Sequence, residues 1–320
     1  MGNKGFDLAA MIKPKGLKLG ATLGVVAPAS PTTKEKLELA YKKLKQLGFN
    51  VVMGESCYEN YGYLAGSDEL RARDLNNMFK NEKIHGIICL RGGYGTPRIL
   101  DLLDYEMIRR NPKVFIGYSD ITALHIAFNQ LSNLITFHGP MAASDMVEGF
   151  GDFSRESLLN SILDGDFQPN IVNPTKDIKT LNGGVAEGRI IGGNLSLIAA
   201  TIGTPYEIDT RGKILLIEEI GEEPYSVDRM LTQLRLSKKL EEVAGIILGD
   251  FKDCDTKSSE YDNTLNLEQV IDDIIKPLNK PTITNLEAGH CEPVITIPLG
   301  IRARLDADKK ELILLERPIL

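Results

Sequence analysis

Strand-like and helix-like segments alternate along the first half of the chain, and this alternation constrains its fold more than any other feature. Short apolar runs such as "TLGVV", "GIICL" and "VFIG" are each followed by a helix-like segment. In "TTKEKLELAYKKLKQLGF" the predicted apolar face contains Leu37, Ala40, Tyr41, Leu44 and Leu47. "SDELRARDLNNMFKNEKI" is predicted as a helix that Ser67 can cap, and "TPRILDLLDYEMIRRNP" and "DITALHIAFNQLS" are also predicted as helices. Strands joined through helices form right-handed crossovers and lie parallel in one sheet. We therefore predict an α/β fold whose N-terminal part is a mainly parallel sheet flanked by helices.

Four loops with unusual sequences follow predicted strands of this sheet. They are "APAS", "RGGYG", "GYSD" and "HGPM". In parallel sheets, binding and catalytic sites form outside the carboxyl ends of the strands. The sequence therefore places four candidate loops at one edge of the sheet.

The second half of the chain has a different pattern. The stretch "GDFQPNIVNPTKDIKTLNGG" is rich in Asn, Pro and Gly, which is typical of a linker. Short strands then mix with helices, as in "KILLIEEI", "SVDRMLTQLRLSKKL", "VITIPLGIRARLDA" and "ELILLE". We predict an N-terminal α/β domain over residues 1–168, a linker over 169–185, and a smaller mixed α/β domain over 186–320.

Composition narrows the class of function. The 320 residues carry a formal net charge of −7 with no sustained basic run, which argues against a nucleic-acid surface. No stretch is long enough to span a membrane, and the N-terminus lacks the apolar run of a signal peptide, so an unexported protein is expected. A small-molecule or peptide substrate fits this composition better than a nucleic acid or a membrane.

Cysteine spacing indicates neither disulfides nor a metal site. Cys57, Cys89, Cys254 and Cys291 form no C-x-x-C pair, which favours reduced thiols in a cytoplasmic protein. "RGGYG" lacks the lysine and the spacing of a phosphate-binding loop, and no H-E-x-x-H motif occurs. We therefore predict no metal and no cofactor.

The stretch "VFIGYSDITALH" raises the question of what Ser119 does. A strand, a sharp turn and a helix would expose its side chain above the sheet, beside backbone N–H groups suited to an oxyanion. The usual nucleophile pattern is G-x-S-x-G, and here Ile121 stands in place of the second glycine. The alternative is that Ser119 or Asp120 only caps the following helix.

A nucleophilic serine needs a base, and the chain has four histidines. His85 is expected at an exposed strand start and His125 within a helix. His138 lies at a strand end, where it could bind substrate or brace a loop. His290, in "EAGHCEP", lies in a loop that could face a cleft between the two halves. The sequence alone leaves the choice open.

The orienting carboxylate is also ambiguous. Glu218 and Glu219 end the apolar strand of "LLIEEIGEEP", and adjacent strand residues face opposite sides, so only one can point into a cleft. A solvated acidic loop is the alternative.

Longer stretches carry a resemblance to a known family. "LRGGYGTPRILDLLDY", "NPKVFIGYSDITALH", "TFHGPM", "IIGGNLSLIAATIGTPY", "LLIEEIGEEPYSVDRMLTQL" and "AGHCEPVITIPLGIRARLD" together resemble the LD-carboxypeptidases, serine peptidases that act on murein peptides. The resemblance covers nearly the whole chain, in the same order. Family members often have Glu-Asp where this chain has Glu218-Glu219.

The resemblance implies specific roles. It maps the nucleophile onto Ser119, the catalytic glutamate onto Glu218 and the histidine onto His290. It implies an oxyanion hole formed by the backbone N–H groups of Asp120 and of Gly92 or Gly93. It also implies removal of the terminal D-alanine from murein tetrapeptide during peptidoglycan recycling, by a cytoplasmic homodimer.

The residue that binds the substrate carboxylate is not implied by the resemblance. Arg91 and Arg98 flank the glycine loop and are weak candidates, as is His138 for another part of the substrate.

Two alternatives remain. Some relatives resemble microcin C immunity hydrolases, which act on peptidyl or aminoacyl adenylates. Those tend to lack the P-Y-x-x-D-R-M-L block, which is present here from Pro224 to Leu231, and the chain has no Trp to stack on an adenine. The second alternative is a non-catalytic muropeptide-binding protein on the same fold.

Overall fold

A computed structural model of the protein describes residues 10–256 and 264–320. Residues 1–9 and residues 257–263 lie outside this description. Residues 1–9 belong to the predicted N-terminal domain and to the segment that is expected to lack a signal peptide. No helix in the described ranges is both long enough and apolar enough to cross a membrane.

The described ranges form fourteen strands and nine α-helices. The strands are β1 (Thr22–Val26), β2 (Asn50–Met53), β3 (Gly86–Cys89), β4 (Val114–Gly117), β5 (Thr136–His138), β6 (Asn170–Ile171), β7 (Lys179–Asn182), β8 (Val185–Asn194), β9 (Ile214–Ile220), β10 (Gly245–Lys252), β11 (Thr282–Thr284), β12 (Ile297–Leu299), β13 (Arg302–Asp306) and β14 (Glu311–Leu314). The α-helices are α1 (Lys34–Gln46), α2 (Asp68–Lys80), α3 (Tyr105–Arg110), α4 (Thr122–Leu131), α5 (Asp145–Glu148), α6 (Asp152–Ile162), α7 (Leu195–Ala200), α8 (Pro224–Leu236) and α9 (Leu267–Ile274). Short 3₁₀ helices occupy Glu55–Tyr58, Thr96–Leu102, Ser119–Ile121 and Lys276–Leu278.

The first sheet has the strand order β12-β5-β4-β3-β1-β2. Its five N-terminal strands are parallel, and β12 is antiparallel to β5. Strands β3 and β4 are buried along their whole length, as expected for a parallel sheet covered on both faces. The predicted N-terminal α/β architecture is confirmed.

Local sequence explains how the helices begin and end. In α1, Thr33 accepts a hydrogen bond from the backbone N–H of Lys36 at the N-terminus, and Gly48 follows the C-terminus with φ of 92°. Leu37, Ala40 and Leu44 form its buried face, whereas Tyr41, predicted on the same face, is 43% exposed. In α2, Ser67 caps the N-terminus as the sequence predicts.

The second sheet is mixed and has the order β6-β14-β13-β8-β9-β10-β11-β7. Its central strands β8, β9, β10 and β11 are parallel, and the flanking strands pair antiparallel. Strand β9 is buried along six of its seven residues, and the two adjacent glutamates lie directly before its last residue, Ile220. The predicted mixed α/β C-terminal part is therefore present.

One predicted strand is wrong. "VITIPLGIRARLDA" forms two strands in different sheets, β12 in the first and β13 in the second. The extended conformation is interrupted at Gly300, whose φ is 87°. A Cβ added at Gly300 would lie 2.5 Å from Met11 Cε. Only glycine combines that backbone conformation with so little room.

One predicted helix is also wrong. "TPRILDLLDYEMIRRNP" forms a 3₁₀ helix, Thr96–Leu102, and then the short helix α3. Asp104 separates them because its side chain accepts a hydrogen bond from Met107 N and so starts a new helix.

The segment predicted as a linker contributes β6 and β7 to the second sheet, where they pair with β14 and β11. The domain boundaries at residues 168–169 and 185–186 stay a prediction.

Candidate active site

The site is built around the turn that follows β4. Ser119 lies directly after this strand and Tyr118, and its φ is 62°. A non-glycine residue in this region costs on the order of 1–3 kcal/mol and persists only where the surroundings fix it. The turn directs the chain into the 3₁₀ helix Ser119–Ile121 and then into α4. Ser119 is therefore held in a strained strand-turn-helix conformation at the carboxyl edge of the sheet.

The missing second glycine has a structural explanation. A Cβ added at Gly117 would lie 3.0 Å from two carbon atoms of Ile121. Because the small residue is on the strand side of the turn, the larger Ile121 fits on the helix side.

The capping alternative is not what the structure shows. Neither the 3₁₀ helix nor α4 has a side-chain hydrogen bond at its N-cap, and within the described ranges Ser119 Oγ makes no hydrogen bond. The Asp120 carboxylate accepts its hydrogen bond from Thr96 N, 2.8 Å away, outside α4. Ser119 is partly exposed and its hydroxyl is available to a ligand.

The glycine loop after β3 lies directly against Ser119. A Cβ added at Gly92 would be 2.9 Å from Ser119 Cβ, 3.0 Å from Ser119 Oγ and 3.5 Å from Asp120 N. Gly93 has φ of 111°, and a Cβ there would be 2.2 Å from Ser30 Oγ. The absence of a side chain at Gly92 lets the glycine loop approach the serine turn, and its absence at Gly93 lets the same loop approach Ser30 in the loop after β1.

Asp120 fixes the glycine loop to the turn. Its carboxylate accepts from Thr96 N, and the Thr96 hydroxyl donates to the Asp120 carbonyl oxygen. The Asp120 side chain is fully buried, and this burial raises the pKa of its carboxyl to about 6 despite the hydrogen bonds from Thr96 and the nearby charge of Arg71.

Arg71 joins the glycine loop to the loop that follows β1. This fully buried guanidinium donates to the carbonyls of Pro28 and Gly95 and pairs with Asp68. Sequence reasoning did not single out Arg71 or Thr96, because a helix arginine and a helix-start threonine are usually exposed or capping residues. The one available signal was the position of Thr96 directly after the glycine loop.

The second sheet supplies a histidine–carboxylate pair. His290 Nδ1 lies 2.7 Å from Glu218 Oε2, and the Glu218 side chain is fully buried at the end of β9. Gly289 makes this approach possible, since its φ is 104° and a Cβ there would lie 2.5 Å from Glu218 Oε2. A carboxylate at Nδ1 holds the proton on that nitrogen and leaves Nε2 as a proton acceptor.

The electrostatics of the pair favour the imidazolium. Burial raises the pKa of Glu218 above 4.5, although the hydrogen bond and charge of His290 oppose that rise. For His290, burial disfavours the charged ring, but the hydrogen bond and charge of Glu218 outweigh burial and raise its pKa above 6.5. The ring can therefore both accept a proton and be stabilised while it holds one.

Glu219 has a different environment. Its carboxylate accepts hydrogen bonds from Asn194 Nδ2 at 2.9 Å, Ser196 N at 2.8 Å and Ser196 Oγ at 2.7 Å. These donors belong to the start of α7, so Glu219 braces a helix while its neighbour Glu218 contacts the histidine. The expected alternation along the strand is observed.

The two halves meet beside the serine turn. Asn194 N, at the end of β8, donates to Thr122 Oγ1 at 3.0 Å, and a Cβ added at Gly193 would lie 2.6 Å from that oxygen. Within the described ranges no hydrogen bond joins Ser119 Oγ to His290. Hydrogen bonds between catalytic groups are often longer in the free enzyme than with substrate bound.

The remaining histidines pack within the fold or brace its backbone. His125 is fully buried in α4 and its Nε2 lies 2.7 Å from the carbonyl oxygen of Gly117. His85 is exposed, and its Nδ1 accepts from Thr22 N at 3.0 Å. His138 is fully buried, and neither ring nitrogen has a hydrogen-bond partner within the described part of the chain.

The weak substrate-binding candidates differ in their surroundings. The Arg98 guanidinium is engaged by the Asp68 carboxylate, with Nε 3.0 Å from both oxygens and Nη2 2.8 Å from one. Arg91 is partly buried, donates to the Pro31 carbonyl oxygen at 3.4 Å and forms no ion pair with any described residue. The predicted substrate-binding roles of Arg91, Arg98 and His138 stay predictions.

Burial disfavours the thiolate form of the cysteines. Burial raises the pKa of Cys57 and of Cys291 to about 12 and that of Cys254 to about 11. A thiol with such a pKa is almost entirely protonated near neutral pH, so Cys291 is a poor nucleophile although it follows His290. The described residues contain no group of three or more His, Cys, Asp or Glu that could hold a metal ion.

Comparison with known proteins gives consistent family matches. Residues 23–139 match the LD-carboxypeptidase N-terminal domain, and residues 187–305 match the LD-carboxypeptidase C-terminal domain. The chain is 44% identical over 301 residues to a probable murein peptide carboxypeptidase of Bacillus subtilis, covering 93% of this chain and 92% of that protein.

Solved structures with the same fold fall in two groups. A muramoyltetrapeptide carboxypeptidase from Oxalobacter formigenes superposes with a TM-score of 0.80 at 30% identity, covering 92% of this chain and 98% of that chain. The microcin C7 self-immunity protein MccF in complex with aspartyl sulfamoyl adenosine superposes with a TM-score of 0.89 at 26% identity, covering 97% of this chain and all of that chain.

Proposed function

Because the chain belongs to the LD-carboxypeptidase family, we propose that this serine peptidase removes the terminal D-alanine from murein tetrapeptide. The bond cleaved joins the L-centre of the diamino acid to D-alanine. The observation that carries the proposal is a His290–Glu218 pair whose imidazole contacts the ring of Tyr118, the residue next to the strained and partly exposed Ser119.

We propose that Ser119, His290 and Glu218 form the catalytic triad. His290 Nε2 takes the proton of Ser119 Oγ as this oxygen attacks the carbonyl carbon of the diamino acid. The imidazolium is stabilised by Glu218, whose carboxylate accepts the Nδ1 proton. Collapse of the tetrahedral intermediate breaks the C–N bond, and His290 gives its proton to the departing D-alanine amine. Water then hydrolyses the ester on Ser119 by the same proton transfers in a second cycle.

The oxyanion is proposed to lie between the serine turn and the glycine loop. The proposed donors are the backbone N–H groups of Asp120 and of Gly92 or Gly93. The 3.5 Å between Asp120 N and the position of a Cβ added at Gly92 supports this assignment. Preorganised N–H donors contribute about 10²- to 10³-fold each to such reactions. The Asp120–Thr96 hydrogen bonds keep this spacing fixed.

A panel of three substrates tests the proposed function. We expect D-alanine release from the tetrapeptide L-Ala-D-Glu-(diamino acid)-D-Ala. We expect none from the pentapeptide ending in D-Ala-D-Ala, whose terminal bond follows a D-centre, and none from an aminoacyl sulfamoyl adenosine. Release from the pentapeptide alone would contradict the stereochemistry proposed here.

The adenylate alternative rests on the likeness to the MccF structures. Cleavage of the sulfamoyl adenosine without any cleavage of tetrapeptide would establish that alternative. Tetrapeptide binding without turnover would establish the alternative of a non-catalytic muropeptide-binding protein. The triad geometry favours the carboxypeptidase over the binding protein, because a binder has no need of a buried His–Glu pair.

We also propose that the protein acts in the cytoplasm as a homodimer in peptidoglycan recycling. The family resemblance supports the dimer, and the four free cysteines are compatible with a reducing compartment. Light scattering after size-exclusion chromatography tests the oligomeric state, and a mass near that of a single 35.3 kDa chain would contradict a dimer.

A further inference from the structure

Tyr118, in the serine turn, contacts the ring of His290. Its ring centroid lies 4.8 Å from that of His290, with an angle of 60° between the ring planes. This is an edge-to-face contact at close range. Tyr118 directly precedes Ser119, so the contact joins the element that carries the nucleophile to the loop that carries the base.

Hydrogen bonds fix the hydroxyl end of the Tyr118 side chain. Its hydroxyl donates to Asp145 Oδ1 at 2.7 Å, and Asp145 Oδ2 accepts from Met141 N and Ser144 Oγ, each at 2.8 Å. Tyr118 is only 5% exposed. The orientation of its ring is therefore set by the loop that follows β5.

A second ring supports Tyr118 from within the sheet. His138 lies 5.6 Å from Tyr118, centroid to centroid, at an angle of 62°. Burial, together with the neighbouring His125 and His290, lowers the pKa of His138 well below 6.5, so this ring stays neutral. With no hydrogen bond from either nitrogen to any described residue, His138 acts here as a packing surface.

Glu218 alone does not fix the histidine. With a single hydrogen bond at Nδ1, small rotations about the side-chain torsions of His290 can still tilt the imidazole and move Nε2 away from the serine. A rigid ring packed against the imidazole removes this freedom. Displacements of about 1 Å between catalytic groups can cost about 10²-fold in rate.

We propose that Tyr118, anchored by Asp145, is a positioning residue that holds the His290 ring where its Nε2 can accept the proton of Ser119. This inference rests on the proposed function, in that it takes His290 as the base for Ser119. It concerns the geometry of the pair and is independent of which substrate the enzyme cleaves.

The test compares Tyr118→Leu, which removes the aromatic ring, with Tyr118→Phe, which keeps the ring and removes the anchor. Tyr105→Phe is the matched control, because it removes another partly buried hydroxyl, bonded to the Leu100 carbonyl oxygen, away from His290. We expect Tyr118→Leu to lower kcat by about 10- to 100-fold with KM changed less than about threefold. Tyr118→Phe, which loses only the anchor, should show a smaller loss of kcat. Tyr105→Phe should match wild type.

Labelling of Ser119 by a fluorophosphonate provides a readout that needs no substrate. The labelling rate depends on proton transfer to His290, so it should fall in Tyr118→Leu in parallel with kcat. Slow labelling of Tyr118→Leu together with normal labelling of wild type would support the inference even if wild type cleaved no tetrapeptide. The labelling experiment can therefore refute this inference separately from the proposed function.

The pH profile separates positioning from simple destabilisation. Glu218, Glu219 and Asp145 are the carboxylates whose charges raise the pKa of His290. The Tyr118 ring packs beside His290, and His138 packs against Tyr118. Asp145→Asn removes one negative charge, so the acid limb of kcat/KM should move to lower pH. The proposal would be overturned if each variant lost activity in proportion to its loss of thermal stability while the pH profile stayed unchanged. It would also be overturned if Tyr118→Leu were labelled as fast as wild type.

Discussion

At the scale of single residues, Gly92 and Ser119 share a space too small for one more carbon atom. Gly92→Ala would place a methyl group about 3 Å from Ser119 Oγ. We expect kcat/KM to fall by at least about 10²-fold, because both the hydroxyl and the neighbouring N–H donors are disturbed. Steady-state kinetics over a series of substrate concentrations would measure this.

Gly165→Ala is the matched control for that substitution. An added Cβ at Gly165 meets no atom within 4 Å, so activity should be unchanged. Comparable activity of the Gly92→Ala and Gly165→Ala proteins would contradict the close approach of the glycine loop to the nucleophile.

The adjacent glutamates offer an internal comparison of catalytic and structural roles. Glu218→Gln removes the charge that stabilises the imidazolium, and we expect kcat to fall by about 10²- to 10⁴-fold with little change in stability. Glu219→Gln replaces an acceptor of four hydrogen bonds, from Asn194, Ser196 and Ile220, and should lower the free energy of unfolding by about 1–3 kcal/mol while kcat changes far less. The reverse assignment, with kcat lost in Glu219→Gln, would contradict the proposed triad.

The pH dependence of the reaction follows from the pKa of His290. The base must be neutral to accept the Ser119 proton, so kcat/KM should rise with pH through a pKa above 6.5. In Glu218→Gln the supporting charge is absent, so the pKa of His290 falls and the acid limb moves to lower pH. An acid limb that stays in place in Glu218→Gln would show that another group controls it.

The contact between His290 and Glu218 could be anticipated from the family resemblance, whereas the contacts that support the candidate site could not. The resemblance proposed Ser119, Glu218 and His290 by motif, and alternation along β9 explained why only one of the two glutamates could join them. Arg71, Thr96 and Tyr118 act through contacts between segments distant in sequence or from different sheets, and single-sequence patterns carry no information on such contacts.

At the scale of elements, two hydrogen bonds between Thr96 and Asp120 join the glycine loop to the serine turn. Thr96→Val keeps the shape of the side chain but removes the hydroxyl that donates to the Asp120 carbonyl oxygen. We expect the free energy of unfolding to fall by about 1–2 kcal/mol and kcat/KM to fall by about tenfold. Thr232→Val, at a partly exposed position on α8 bonded to Asp228, is the control and should retain full activity. Unchanged kinetics in Thr96→Val would show that the loop is held by other contacts.

Element types were predictable where periodicity was uninterrupted. The strands β1 to β5 and the helices α1, α2 and α4 follow apolar patterns that the sequence displays directly. The errors occurred where a single glycine or cap divides one pattern into two elements, at Gly300 between β12 and β13 and at Asp104 before α3. Deciding between one element and two required knowledge of what packs against the break, as Met11 does at Gly300.

At the scale of the whole molecule, the two sheets are joined by shared structure. Strand β12 comes from the second half of the chain and completes the first sheet, and one continuous apolar core contains residues of both sheets, including Val25, Ile116, Ile190, Ile247 and Leu305. We expect a single cooperative unfolding transition in urea, coincident by far-ultraviolet circular dichroism and by tyrosine fluorescence. Two separated transitions would contradict a shared core.

The central claim is that a serine from one sheet and a His–Glu pair from the other form one catalytic site for murein tetrapeptide. The most direct test measures D-alanine release from purified tetrapeptide by wild type and by Ser119→Ala, with circular dichroism confirming that both are folded. We predict release by wild type and a loss of about 10³-fold or more in Ser119→Ala. Equal rates of release by the two proteins would contradict the role of Ser119, and no release by either would contradict the proposed substrate.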